Sequence, residues 1–161
     1  MMSTFEERVE QGLQLERVEN YAAAIDHFRQ LVEDFPEDAR AHFEYAGAFD
    51  SAGQEAEAVP HYYRALEMGL PEDYRPRLFV QLGSSLRNIG QYEEAVQLLT
   101  RACEIYPDHV ALHVFRALAL ESAGQAREAL STLFDVVIEQ VRTADMQRYA
   151  RAIRYYVDER R

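Results

Sequence analysis

The stretch Phe79-Val-Gln-Leu-Gly-Ser-Ser-Leu-Arg-Asn-Ile-Gly90-Gln-Tyr-Glu-Glu-Ala-Val-Gln-Leu-Leu-Thr100-Arg-Ala-Cys-Glu-Ile-Tyr-Pro107 holds two helices and the break between them. Phe79, Leu82, Gly83 and Leu86 recur at i, i+3, i+4 and i+7, which puts them on one helix face. Asn88-Ile-Gly90 ends that helix, with glycine just past the last periodic residue. Tyr92, Ala95, Leu99 and Ala102 repeat the spacing on a second helix, which stops before Pro107.

Working outward, Ala95 is one of four alanines, with Ala24, Ala58 and Ala129, set 34, 37 and 34 residues apart. Each sits in a similar phrase, such as Gly53-Gln-Glu-Ala-Glu-Ala58-Val and Gly124-Gln-Ala-Arg-Glu-Ala129-Leu. A period near 34 residues with helical spacing inside it marks stacked helix-turn-helix units, each burying its apolar face against its neighbours. Aligning the alanines gives units 5–38, 39–72, 76–109 and 110–143, with a small insertion at 73–75. The eighth place of each unit is also small: Gly12, Ala46, Gly83 and Ala117. Two antiparallel helices that approach to about 8–10 Å need such residues at the contact. Phe28, Tyr62, Leu99 and Leu133, at the twenty-fourth place, fill the space beside them.

This pattern resembles the tetratricopeptide repeat over about residues 5–143. Leu82-Gly-Ser-Ser-Leu-Arg-Asn-Ile-Gly90, with His113-Val-Phe-Arg-Ala-Leu-Ala-Leu120 after it, is similar to a bacterial subfamily with no assigned activity. The resemblance implies an all-α, right-handed superhelical solenoid. It would hold four helix-turn-helix units and a C-terminal capping helix at 144–159, about nine helices in one domain spanning 1–161. The cap is expected from Met146, Tyr149, Ala150, Ile153 and Val157, one apolar stripe with arginines opposite. Some positions depart from the repeat. Glu19 stands where a turn glycine is usual, so Asn20 is expected to take the left-handed conformation. Unit two lacks a closing proline in register, and Gly69-Leu-Pro71 with the insertion makes a longer joint. Pro60 should bend its helix or delay its start. Ser3-Thr-Phe-Glu6 reads as a capping box, and Asp38 and Asp108 read as helix caps.

Composition narrows the function. Apolar residues make up 48% and charged residues 28%, which is globular usage. Net charge is −11; six arginines against three acids give residues 142–161 about +3, leaving −14 on residues 1–141. That balance repels nucleic acid and anionic membrane. All 17 basic residues are arginine, which excludes a Schiff-base or phosphate-loop lysine. The first ten residues show no basic leader or apolar segment, and Cys103 is the single cysteine; both point to the cytoplasm.

No nucleophile–base pair, carboxylate pair or metal cluster emerges from the pattern, so an enzyme, a metal or another cofactor is not expected. His109 and His113 have the i, i+4 spacing of ligands but lack an obvious third, and Cys103 reads as a small buried hydrophobe. The resemblance implies that the first helix of each unit lines a concave groove. Its candidate lining is Arg40, Phe43, Gly47, Arg77, Val80, Ser84, Arg87, Asn88, Val114 and Leu118, with Val9 extending the apolar track. The lysines by which some relatives clamp a terminal carboxylate are absent. The expected function is a non-catalytic interaction scaffold holding a protein or peptide with apolar anchors and an acidic group, with Ser84 and Asn88 free to bond its backbone. The alternative is a self-associating module, a homodimer through the groove or the C-terminal helix.

Overall fold

The computed structural model describes residues 4–159. Among them lie nine α-helices: α1 (Phe5–Arg17), α2 (Tyr21–Asp34), α3 (Ala39–Ser51), α4 (Glu55–Glu67), α5 (Arg75–Asn88), α6 (Tyr92–Ile105), α7 (Val110–Ser122), α8 (Ala126–Gln140) and α9 (Ala144–Asp158). A short 3-10 turn, Glu72–Tyr74, joins α4 to α5, and no strand occurs among the described residues. The architecture is the all-α solenoid that the periodicity requires.

Small residues set the distance between paired helices. A Cβ on Gly12 would lie 2.3 Å from the Phe28 ring, and one on Gly83 would lie 2.6 Å from Leu99 Cγ. Those separations are far inside van der Waals contact, so a larger residue must push the second helix away. Ala24, Ala58 and Ala95 are fully buried, as are Phe28, Tyr62 and Leu99. Leu133, the corresponding residue on α8, is exposed.

Each helix packs on the next in sequence. In addition α1 packs on α3, α3 on α5 and α5 on α7, whereas the even-numbered helices do not pack backbone to backbone and meet through long side chains, as where the Tyr63 hydroxyl on α4 donates to Glu94 on α6. The odd helices therefore form a close inner row and the even ones a spread outer row, which curves the stack. The largest core cluster runs through α3 to α7, and a second joins α1 to α3. At the last step the pattern fails: α9 packs on α8 alone and does not reach α7.

The longer joint builds an aromatic corner. Gly69 takes a φ of 78°, Leu70 is buried, and the Arg75 Nε–H donates to the Leu70 carbonyl at 2.8 Å. Tyr74 thereby sits 6.0 Å, centroid to centroid, from Phe43.

Three expectations about helix ends are corrected, and of the two effects expected of Pro60 the delayed start is excluded. The capping box is formed by Thr4 and Glu7, one residue later than expected. The Thr4 amide donates to Glu7 Oε2 at 2.8 Å and the Glu7 amide to Thr4 Oγ1 at 3.2 Å; Ser3 lies outside the described residues. Glu19, not Asn20, takes the left-handed turn, with φ 58°; Asn20 caps α2, accepting from the Ala23 amide. Asp38 caps α3 through the amides of Arg40 and Ala41, but His109 rather than Asp108 precedes α7, with no side-chain cap. Pro60 does not delay α4, which already begins at Glu55. It lies on the exposed side, where its ring meets solvent rather than the core.

Candidate functional site

The inner row carries most of the candidate residues, and the structure separates them into floor, cations and polar staples. Phe43 on α3 is buried and packs against Tyr62 and Tyr74. The Arg77 guanidinium lies 5.3 Å from the Phe43 ring centroid, and that of Arg40 lies 4.1 Å from the Tyr74 centroid. Cations over aromatic faces are held by the ring quadrupole, so both arginines roof this corner. Arg40 is further engaged, because its Nε–H donates to the buried Glu44 carboxylate one turn along α3. Arg77 and Arg87 form no ion pair among the described residues. The Arg87 Nε is buried with no hydrogen-bond partner.

Gly47 stands inside α3, about two turns from its first residue and one turn from its last. An added Cβ there would meet nothing within 4 Å. Unlike Gly12 and Gly83, this glycine answers no packing demand. Val80 and Ser84 are half-buried on α5; Asn88 at its end is not free, since its Nδ2–H donates to Glu55 at 3.0 Å. Val114 and Leu118 on α7 lie apart from this corner. With Ala117, Glu121, Ala126, Ala129, Leu130 and Leu133 they line an opening of about 370 Å³ between α7 and α8.

Acidic residues near the C-terminal ends of α1 and α3 link successive inner helices. Ser51 donates to Glu16 at 3.2 Å, and Ser85 donates to Asp50 at 2.6 Å. Tyr62 adds a second donor to Asp50 at 2.8 Å. Burial pushes both carboxyls above their ordinary range, partly offset by these hydrogen bonds. The Tyr62 hydroxyl is pushed up by burial and by Asp50, so it stays a donor. Sequence reasoning did not single out these pairs; the signal was a carboxylate at the twelfth place of units one and two with a serine following in the next unit.

A second unanticipated feature is a histidine pair. The His42 Nε2–H donates to the Pro36 carbonyl at 3.1 Å, which leaves His42 Nδ1 as acceptor for the Nδ1–H of His61, 3.2 Å away. Burial, with His42 second, depresses proton binding at His61. His113 donates to the Pro107 carbonyl at 2.8 Å, while His109 Nδ1 is buried without a partner. Cys103 is buried, and burial raises its thiol. Among the described residues no three His, Cys, Asp or Glu side chains gather as a metal site would need, and no helix is long and apolar enough to cross a membrane.

Residues 39–160 match the model of the Tetratrico peptide repeat family. The chain belongs to the tetratricopeptide-repeat family. Among solved structures, this repeat protein resembles a putative kinesin light chain from Podosopora anserina with nearly identical repeats. The TM-score is 0.78 at 21% identity, covering 99% of this chain and 85% of the other. YrrB, described as a repeat protein with an unusual peptide-binding site, gives 0.69 at 24% identity, covering 96% and 78%. MamA gives 0.71 at 17%, covering 83% and 72%. These likenesses establish the fold. In sequence, human protein O-mannosyl-transferase TMTC1 is 29% identical over 105 residues, 65% of this chain but 12% of that protein. This tetratricopeptide-repeat chain thus spans a small part of that relative's length. Solenoids of this kind present extended interaction surfaces built by repetition.

Proposed function

We propose that this chain is a non-catalytic scaffold that holds a peptide or partner segment along its inner row, in the cytoplasm, with the four helix pairs and α9 acting as one module. The observation that carries the reading is Gly47. A mid-helix glycine costs about 0.5–1 kcal/mol relative to alanine, and here no neighbour needs the missing Cβ. Open space above it, beside the Phe43 corner, is room for an apolar anchor. Arg77 and Arg87, which form no ion pair among the described residues although the Arg77 charge is felt by Glu16, suit an acidic group on the same segment. Arg40 is committed to Glu44 and Asn88 to Glu55, so they contribute to the walls rather than to the grip. The half-buried Ser84 hydroxyl, which makes no hydrogen bond among the described residues, is left to bond a peptide backbone.

The test is affinity capture from the native cell, followed by binding measurements with the recovered partner on Gly47→Leu, Arg77→Glu and Arg87→Glu. Each should weaken binding at least about tenfold while helical content is retained. A partner bound equally well by all three sinks the inner-row assignment.

A further inference from the structure

The far end of the solenoid is built differently from the rest. Every earlier inner helix is covered by the next one, but α7 is not covered by α9. The uncovered face is apolar: Val114, Ala117 and Leu118 from α7, and Ala129, Leu130 and Leu133 from α8, with Glu121 at the edge. Leu130 also lines the cleft between α8 and α9, with Phe134 and Val157, so slot and cleft form one continuous surface. Of the fourteen large apolar or aromatic side chains exposed among the described residues, nine lie between Leu118 and Tyr156. Exposed apolar area concentrated in this way on one end of a molecule marks a contact surface.

The chain also carries an element that fits the slot. Helix α9 turns Val157 and Ile153 toward α8; Tyr156 borders the same cleft beside Phe134 yet stays 61% exposed, and Tyr149 is 57% exposed. Seven residues apart, these tyrosines share one flank of the helix. Arg148, Arg151 and Arg154 are exposed and form no ion pair among the described residues. Residues 1–141 carry −14 and residues 142–161 about +3. Contact of one body with another is therefore repulsive, whereas contact of a tail with another copy's body is attractive.

We propose that a second copy of this chain docks at the open α7–α8 slot through its α9. The two copies are related by a two-fold axis, so each α9 sets Tyr149 and Tyr156 against the slot of the other. Tyrosine anchors against a desolvated apolar pocket, rimmed by charge pairs such as arginine with Glu121, are the usual centre of such an interface. This surface is separate from the Gly47 corner, so the two assignments stand or fall independently.

Sedimentation of the full chain over roughly 1–200 µM should show a dimer whose dissociation constant rises with salt. Leu133→Glu and Tyr149→Glu should each weaken it about 100-fold, with helical content unchanged and with melting unchanged in protein too dilute to dimerise. The two variants mixed should recover association, because the Leu133→Glu copy offers a sound α9 and the Tyr149→Glu copy a sound slot. In a Cys103→Ser background, a Leu133→Cys chain and a Tyr149→Cys chain should oxidise to a mixed dimer. The proposal is overturned by a monomer across that range or by a dimer unaffected by either variant. It is equally overturned if the mixture stays dissociated, or if the Leu133→Cys and Tyr149→Cys chains form no mixed disulfide.

Discussion

At the scale of single residues, three glycines in inner helices look alike in sequence and differ in consequence. Gly83→Ala puts a methyl 2.6 Å from a fully buried leucine, so overpacking outweighs the gain in helix propensity and should cost about 1–3 kcal/mol. Gly47→Ala meets no neighbour and should instead stabilise by about 0.5–1 kcal/mol. Urea denaturation of both variants checks the pair; equal signs would contradict the packing argument. His61 gives a second residue-scale expectation. Its proton binding is depressed in the folded chain below the ordinary 6.5, by burial first and His42 second. Between the folded value and 6.5 the unfolded chain holds a proton that the native chain refuses. Stability is thus complete above about pH 6.5 and falls as pH drops through that window. Tyr45 and Phe49 pack against the same imidazole and offer no carboxylate to steady a charge. Glu16 and Asp50, whose carboxyls are raised, act with the opposite sign at lower pH. Melting temperatures of wild type and His61→Asn between pH 7.5 and 5.5 should show a steeper fall for wild type.

At the scale of elements, Pro60 denies the Ala56 carbonyl its usual donor without shortening α4. Pro60→Ala should restore that bond and raise stability by about 1–2 kcal/mol, offset slightly by the freer unfolded chain. A loss of stability in thermal melts would mean that the proline fixes a helix shape the neighbours require. The same elements show how far sequence reading carries. Helix pairs were legible because Gly83–Leu99 and Gly12–Phe28 are contacts within one unit, written at fixed spacing. Helix ends were legible only to one residue. Ser3 and Thr4 each have a glutamate three residues on, so the sequence offers two registers and does not choose the Thr4–Glu7 box that forms; Glu19 bears the strained turn because Asn20 is used as a cap. The staples Glu16–Ser51 and Asp50–Ser85 depend on how neighbouring units slide against each other, which periodicity inside a unit does not encode. The fate of Arg40 was hidden for a related reason. Glu44, one turn away on α3, claims its guanidinium only because the corner buries both side chains.

At the scale of the whole molecule, stability follows from a row of nearest-neighbour contacts rather than from one centre. The core cluster through α3 to α7 is the most deeply buried, with Tyr62, Leu78, Leu82, Leu99 and Leu112 fully enclosed. Helix α9, by contrast, buries one residue and touches one helix. Opening should therefore cost least at α9, more at α8, and most near α5. Hydrogen exchange on dilute protein should find the slowest amides in α3 to α6 and the fastest in α9. Concentration adds a second axis, since anything that covers the open end protects only the states in which it is bound. Slowed exchange at higher concentration should appear in α9 and along the exposed face of α8, while α1 and α2 stay unchanged. Uniform protection from α1 to α9 in dilute protein would show that the molecule opens as one unit, and would contradict the graded solenoid.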